Sequence, residues 1–313
     1  MDSKYIDKLK NIKYEPIFIQ GLHRSGTTIL YKILGDTDKF NILTLYHVLN
    51  YDELIYNHIN KIEIEKKQQI NNLLIKKGIT TRKTDEVKVT AEYAHEYMYI
   101  FSERNYNWQL CDKNKNLFDE LCKKIQYISE NKNPILLKNP HDFANFLYIK
   151  KIYPKSKFIF IHRNPYEIIS STMRLWQTHL KSKNEYLAMY NKGYDKLYSN
   201  PFSRFFWKKI YLSNIPIGLY NVVSMSSRRT NKYLKDIKNL PKKDYLIITY
   251  EKLCNKTDIV IKEIEKFLNV KINIDLSRYI KPRALNLTSE VEIWKKLISK
   301  KMKFYIKYLN NIK

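Results

Sequence analysis

Cysteine is scarce in this chain. Only Cys111, Cys122 and Cys254 occur among 313 residues, and their spacing matches no metal-ligand pattern. That argues against a disulfide framework and a zinc site, and for free thiols in a reducing compartment. Long apolar runs are also missing. No stretch reaches membrane-spanning length and no secretory leader is visible, so the expectation is a soluble, cytoplasmic protein. Acidic residues are outnumbered: 31 Asp and Glu stand against 57 Lys and Arg, a formal net charge of +26. Such an excess raises the question of nucleic acid. However, the lysines are spread along the whole chain among many Ile, Asn and Tyr residues, as coding from an AT-rich genome produces. No specific nucleic-acid partner is therefore expected. The basic surface would still attract an anionic donor, an acidic acceptor or an anionic membrane.

A further absence lies in a loop. Ile17-Phe18-Ile19-Gln20 is a short apolar strand; Gly21 to Gly26 form a glycine-containing loop; Thr27 onward is an amphipathic helix carrying Ile29, Leu30, Ile33 and Leu34. Strand, loop and helix in this order build an anion site from backbone N–H groups and the helix dipole. The P-loop pattern of nucleotide hydrolases requires a lysine where this chain has Thr27. Its cation comes early instead, at Arg24. The loop is poorly built for the β,γ-phosphates and Mg²⁺ of ATP, which argues against a kinase, and well built for another phosphate ligand.

A second segment has the same grammar. Lys157 to His162 read as a buried strand, and Asn164 and Pro165 as the N-cap and first residue of a helix. Glu167, three residues after the cap, suits a capping box. Arg163 then emerges at a strand's C-terminal end, and Ser171 lies two turns into the helix.

These two segments together resemble the cofactor signatures of sulfotransferases that use 3′-phosphoadenosine 5′-phosphosulfate (PAPS). The similarity is to the broad Arg-Ser-Gly-Thr-Thr branch, which is distantly similar to protein-tyrosine sulfotransferases. Ile135-Leu136-Leu137-Lys138-Asn139-Pro140 resembles that family's strand ending in Lys-[Ser/Thr]-Pro, with Asn139 as a departure. Tyr153-Pro154-Lys155-Ser156-Lys157-Phe158 resembles its lead-in to the second signature. Thr249-Tyr250-Glu251-Lys252-Leu253, followed by an amphipathic helix ending Phe267-Leu268, resembles its closing segment. The likeness covers about residues 16–52, 134–180 and 245–283.

The resemblance implies roles. Arg24, Ser25, Gly26, Thr27 and Thr28 would hold the 5′-phosphosulfate, Arg163 and Ser171 the 3′-phosphate, and Tyr250 a neighbouring wall. PAPS would be the donor and 3′,5′-ADP (PAP) the product, with no metal. Lys281 and Arg283 are candidates to close over the 3′-phosphate. Lys138, at a strand tip on the same rim, would neutralise the bridging oxygen or the sulfuryl group. The general base has two equal candidates. His47 falls where the branch often carries a Trp-Glu pair, here Tyr46-His47. His141 follows Lys138 by three residues. The trio Glu92, His95 and Glu96 is a third possibility, although its spacing reads as a solvated helix face.

Periodicity completes the expectation. Strands at about 16–20, 134–138, 157–162 and 245–249 alternate with helices, the last of them, capped by Thr257, presenting Val260, Ile264, Phe267 and Leu268. Strand–helix alternation predicts an α/β fold of P-loop type, a central parallel sheet with helices on both faces in three layers. A single domain over 1–313 is expected, with insertions at about 53–130 and 184–240 walling the acceptor site. The functional reading is transfer of a sulfuryl group from PAPS to a small-molecule, lipid, saccharide or peptidyl hydroxyl, or to an amine. The alternative is a noncatalytic, basic nucleotide- or nucleic-acid-binding protein on the same fold.

Overall fold

The computed structural model describes residues 1–82, 87–212, 216–274, 279 and 287–312. Five parallel strands form one sheet: β1 (Pro16–Gln20), β2 (Asn41–Ile42), β3 (Ile135–Lys138), β4 (Lys157–His162) and β5 (Tyr245–Thr249), in the order β2-β3-β1-β4-β5. The central pairs set Ile17 beside Leu136 and Lys157, and Ile19 beside Lys138 and Ile159.

Strand alternation sends two sets of side chains to two faces. Phe18, Leu137, Phe158, Phe160 and Tyr245 enter one core, with Phe118, Phe146, Ile169, Val223 and Tyr305 from the helices above. Ile17, Ile19, Leu136, Ile159, Ile161 and Ile248 enter the other, against Leu30, Ile33 and Leu34 of helix α1 (Thr27–Gly35) and Val260, Ile261 and Ile264 of the helix Thr257–Leu268. Both faces are dry, as a parallel sheet requires. Apolar strands without a polar face therefore became the middle layer of three. Four of the five strands stand where periodicity placed them. The fifth, β2, is two residues long and carries no pattern of its own.

Three local expectations are corrected. The backbone N–H of Asn164 goes to Glu251 Oε1 at 3.0 Å, and Glu167 turns to Arg163, so no capping box forms, although Asn164 does cap the helix Pro165–Lys181 through Tyr166 N. Thr257 is the first helical residue rather than a cap, and its hydroxyl bonds back to Leu253 O. The trio Glu92, His95 and Glu96 does not sit on a helix. Its segment lies alongside 43–46, with Leu45 N on Tyr93 O, Tyr46 N on Ala91 O and His95 N on Leu43 O. Among the described residues no helix is long and apolar enough to cross a membrane.

The chain leaves β1 toward β2 on one side of the sheet and later reaches β4 on the other. The carboxyl end of β1 is thus where the order reverses, the place at which open α/β sheets bind ligands.

Candidate active site

The loop between β1 and α1 is tight because its glycines allow it to be. A Cβ on Gly21 would stand 2.4 Å from Ser25 Oγ and 2.6 Å from Ile161 O. Gly26 has φ of 102°, and its missing Cβ would stand 2.4 Å from the Tyr250 ring. Arg24 is also left-handed, at φ of 71°, an uncommon state for a residue with a side chain. Ser25 N closes the loop on Leu22 O at 3.0 Å. The first N–H groups of α1 lack intrahelical acceptors and open at the carboxyl end of the sheet. Ser25 Oγ is buried and has no hydrogen-bond partner among the described residues. A buried orphan hydroxyl beside free helix N–H groups fits an oxyanion, and so fits the phosphate end of PAPS.

The second signature folds onto this loop. Arg24 Nε donates to Ser171 Oγ at 2.9 Å, and Arg163 Nη1 donates to Arg24 O at 3.2 Å. The Arg163 guanidinium lies 4.2 Å from the centre of the Tyr250 ring and pairs with Glu167, Nε to Oε2 being 3.0 Å. Arg24, Gly26, Arg163, Ser171 and Tyr250 therefore form one cluster. Arg174, absent from the sequence reading, bonds Ser170 Oγ one turn back on the same helix. Its pKa is lowered by burial and then by the Arg163 charge, which adds a third cation to this side of the loop. Lys281 and Arg283 lie outside the described residues.

A second cluster sits at the tip of β3. Lys138 is buried; its Nζ donates to Thr28 Oγ1 at 2.7 Å and pairs with Glu96 Oε1 at 2.6 Å. Burial opposes the charge on Glu96, but Lys138 and then His23 outweigh it and hold the carboxyl at about 2. His23 in the loop is kept neutral, near 3, by burial and by Arg24. Glu92 lies on the surface, paired with Lys67 at 2.7 Å, and His95 is packed against Tyr99 and Tyr190.

The two candidate bases are placed differently. His47 Nδ1 accepts Thr44 N at 3.0 Å, inside the cap of the helix Leu45–Leu49. His141 Nδ1 faces Arg229 Nη2 at 3.1 Å, and its ring stands edge-on to Trp108. A backbone N–H and a guanidinium can only donate, so both rings keep their proton on Nε2. Burial lowers both pKa values, to about 3 for His47, helped by Lys67, and about 4 for His141, helped by Arg229. Among the described residues no group of three or more His, Cys, Asp or Glu could hold a metal ion.

With this geometry in hand, comparison with known proteins is decisive at the family level. The sequence model of the sulfotransferase family matches residues 16–211, which include the loop, Lys138, Arg163 and Ser171. The chain belongs to the sulfotransferase family. Its fold is similar to that of the sulfotransferase STF9 from Mycobacterium avium, at 14% identity and a TM-score of 0.66 over 98% of this chain and 80% of that one. It is similar also to STF1 from Mycobacterium tuberculosis, at 11% identity and a TM-score of 0.62 over 96% and 79%. A mouse sulfotransferase, SULT7A1, solved in complex with PAP, matches at 11% identity and a TM-score of 0.44 over 96% and 90%. No curated protein sequence matches the chain.

The sulfotransferase motifs were legible because they are local. Arg229 was not, and Glu96 was named only within a trio whose spacing reads as a solvated helix face. Glu96 reaches Lys138 through the pairing of its segment with 43–46, and Arg229 reaches His141 from a helix 88 residues away. Neither contact has a signal in its own neighbourhood.

Proposed function

We propose that this protein moves a sulfuryl group from PAPS to a hydroxyl or amine acceptor by in-line transfer. The observation that carries the reading is the bond of Arg24 to Ser171, with Arg163 on the Arg24 carbonyl. It joins the 5′-phosphate and 3′-phosphate signatures at one end of the sheet.

In this reading Arg24, Ser25, Gly26, Thr27 and Thr28 hold the 5′-phosphosulfate, and Arg163 and Ser171 hold the 3′-phosphate against Tyr250. When bound, PAPS supplies a sulfuryl group on a phosphate leaving group. Arg24 and the N–H groups of Gly26 to Thr28 stabilise the charge that builds on that phosphate. Lys138, already on Thr28, neutralises the bridging oxygen. Cationic side chains thus take the part that Mg²⁺ takes in kinases. The acceptor oxygen forms its bond to sulfur as the sulfur–bridging oxygen bond breaks, and that electron pair leaves with 3′,5′-ADP.

The acceptor proton needs a base. His47 and His141 each have their lone-pair nitrogen engaged by a donor. Glu96 is an ionised acceptor on Lys138, beside the loop. We assign it the proton. As Lys138 turns its charge toward the donor, less of it remains on Glu96, whose carboxylate becomes a stronger base.

The test is ligand protection followed by transfer. A ligand that binds only the native state raises its melting temperature by mass action. 3′,5′-ADP is expected to raise it by several degrees, ATP with Mg²⁺ by much less, and ³⁵S-labelled PAPS is expected to label an acceptor from a phenol, sugar and lipid panel. No protection by 3′,5′-ADP ends the reading. Salt-dependent protection by oligonucleotide in its place would favour the noncatalytic binding protein.

A further inference from the structure

A cavity of about 340 Å³ lies beside this site, lined by Asn107, Trp108, Gln109, Cys111, His141 and Arg229. Its volume is that of a small-molecule pocket. It opens where β3 ends: His141 stands three residues beyond Lys138, and Gln109 Nε2 holds the His141 carbonyl at 3.0 Å.

Arg229 gives the pocket its chemistry. It comes from the middle of the helix Ile217–Asp236 and is half-buried. Its hydrogen bond goes to the neutral His141 ring, and among the described residues no carboxylate lies within ion-pair distance of it. Asp142 is the nearby acid, but its oxygens accept from Tyr97, Asn139, Asn145 and Leu110 N. Asp142 offsets only part of the cost of burying this guanidinium, whose pKa burial lowers, and a bidentate carboxylate or phosphate would complete its pairing. His141 adds to this, because a neutral ring whose Nδ1 accepts from Arg229 carries its one N–H on Nε2. The wall therefore holds two donors, an indole face and the amides of Asn107 and Gln109.

On the reading given above, we propose that this cavity is the acceptor subsite and that it selects a small hydroxyl-bearing molecule that also carries an oxyanion, carboxylate or phosphate, seated on Arg229. The anion pairs with the guanidinium and its hydroxyl faces Lys138 and Glu96. The net charge of +26 serves the same end, since donor and acceptor would then both be drawn in by a basic field.

The experiment separates this proposal from the function on which it rests. 3′,5′-ADP protection is measured first, on the full chain. The 3′,5′-ADP-treated protein is then titrated calorimetrically with 4-hydroxyphenylacetate, 4-hydroxyphenyl phosphate and the neutral 4-methylphenol. At least one anion is expected to bind tenfold or more tightly than 4-methylphenol. That preference is expected to vanish in Arg229→Gln and to survive in part in Arg229→Lys, with 3′,5′-ADP protection unchanged in both. Equal binding of the three probes, or no binding of either anion up to 10 mM (roughly ten-thousandfold above a micromolar Kd), overturns the proposal, as does an anion preference retained in Arg229→Gln. If 3′,5′-ADP fails to protect while the anion preference holds and depends on Arg229, the subsite stands and the donor assignment falls.

Discussion

Arg24 Nε and Ser171 Oγ stand 2.9 Å apart across 147 residues of chain. One belongs to the loop after β1 and the other to the helix after β4. Because β1 and β4 are neighbours in the sheet, two motifs far apart in sequence end on the same rim. Arg163 locks the arrangement by donating to the Arg24 carbonyl. A ligand with phosphates at both ends would touch both motifs, while one with a single 5′-phosphate would touch the loop alone.

That geometry yields a selective loss. Arg163→Ala should weaken 3′,5′-ADP binding by about 1.5–3 kcal/mol, the worth of a charge-assisted contact. The 5′-AMP affinity should fall much less, and by isothermal titration the two losses should differ clearly. Equal losses would assign Arg163 to the fold rather than to the 3′-phosphate.

The loop backbone makes a second, steric prediction. Gly26→Ala puts a methyl group 2.4 Å from the Tyr250 ring at a φ of 102°. The backbone strain alone is about 1–3 kcal/mol. The melting temperature and 3′,5′-ADP affinity should both fall. In the double variant Gly26→Ala/Tyr250→Ala the clash is relieved while the φ strain stays. Part of the stability lost on adding alanine to the wild-type loop should therefore not appear when it is added to the Tyr250→Ala background.

How much of this was readable follows from locality. β1, β3, β4 and β5 declared themselves as apolar runs; the loop, Arg163 and the Asn164 cap are set within a few residues of a strand end, and Ser171 lies two turns into the helix that follows β4. The rest depended on partners from afar. Glu167 has capping-box spacing, but an ion pair with Arg163 competes for it, and Glu251, 87 residues beyond Asn164, takes the Asn164 N–H it would have held. Glu92, His95 and Glu96 have helical spacing, yet their backbone pairs with 43–46, which sends Glu96 inward and Glu92 to solvent. Spacing alone cannot report which tertiary pairing overrides it.

Buried histidines set a pH limit on stability. His162 is fully buried, with Nε2 near Tyr233 Oη and Nδ1 near Tyr305 Oη. Burial lowers its pKa from 6.5 to about 3. The unfolded chain then binds a proton that the folded chain refuses, so this stability is present above about pH 6.5 and is lost as pH falls toward 3. His23, His47 and His95 are depressed to a similar value and act in the same direction. The melting temperature should therefore decline from pH 7 to pH 5. His162→Gln should lower it at pH 7 but make the decline shallower. A variant whose slope matches wild type would mean that His162 does not carry its share of the proton linkage.

The base assignment is the sharpest test of the site. Glu96, His141 and His47 are three candidates with different surroundings, and only Glu96 contacts Lys138. Glu96→Gln keeps the shape and removes the proton acceptor, so turnover should fall about 10²–10⁴-fold while 3′,5′-ADP affinity is nearly intact. His47→Ala loosens a helix cap and His141→Ala loosens the pocket wall; in a screen with acceptors that lack an anion, neither should cost turnover on that scale. The Glu96 carboxyl is held at about 2 against an ordinary 4.5, so its contribution to stability is full above pH 4.5 and is lost as pH falls through 2. The stability gap between wild type and Glu96→Gln should accordingly stay constant from pH 7 to 5 and narrow below 4.5. That second readout belongs to the Glu96–Lys138 pair whether or not catalysis is observed. If turnover survives in Glu96→Gln and collapses in His141→Ala, the proton passes through His141. The Arg229 bond to Nδ1 must then break on acceptor binding, which a rise of the His141 pKa in the Arg229→Gln variant would register.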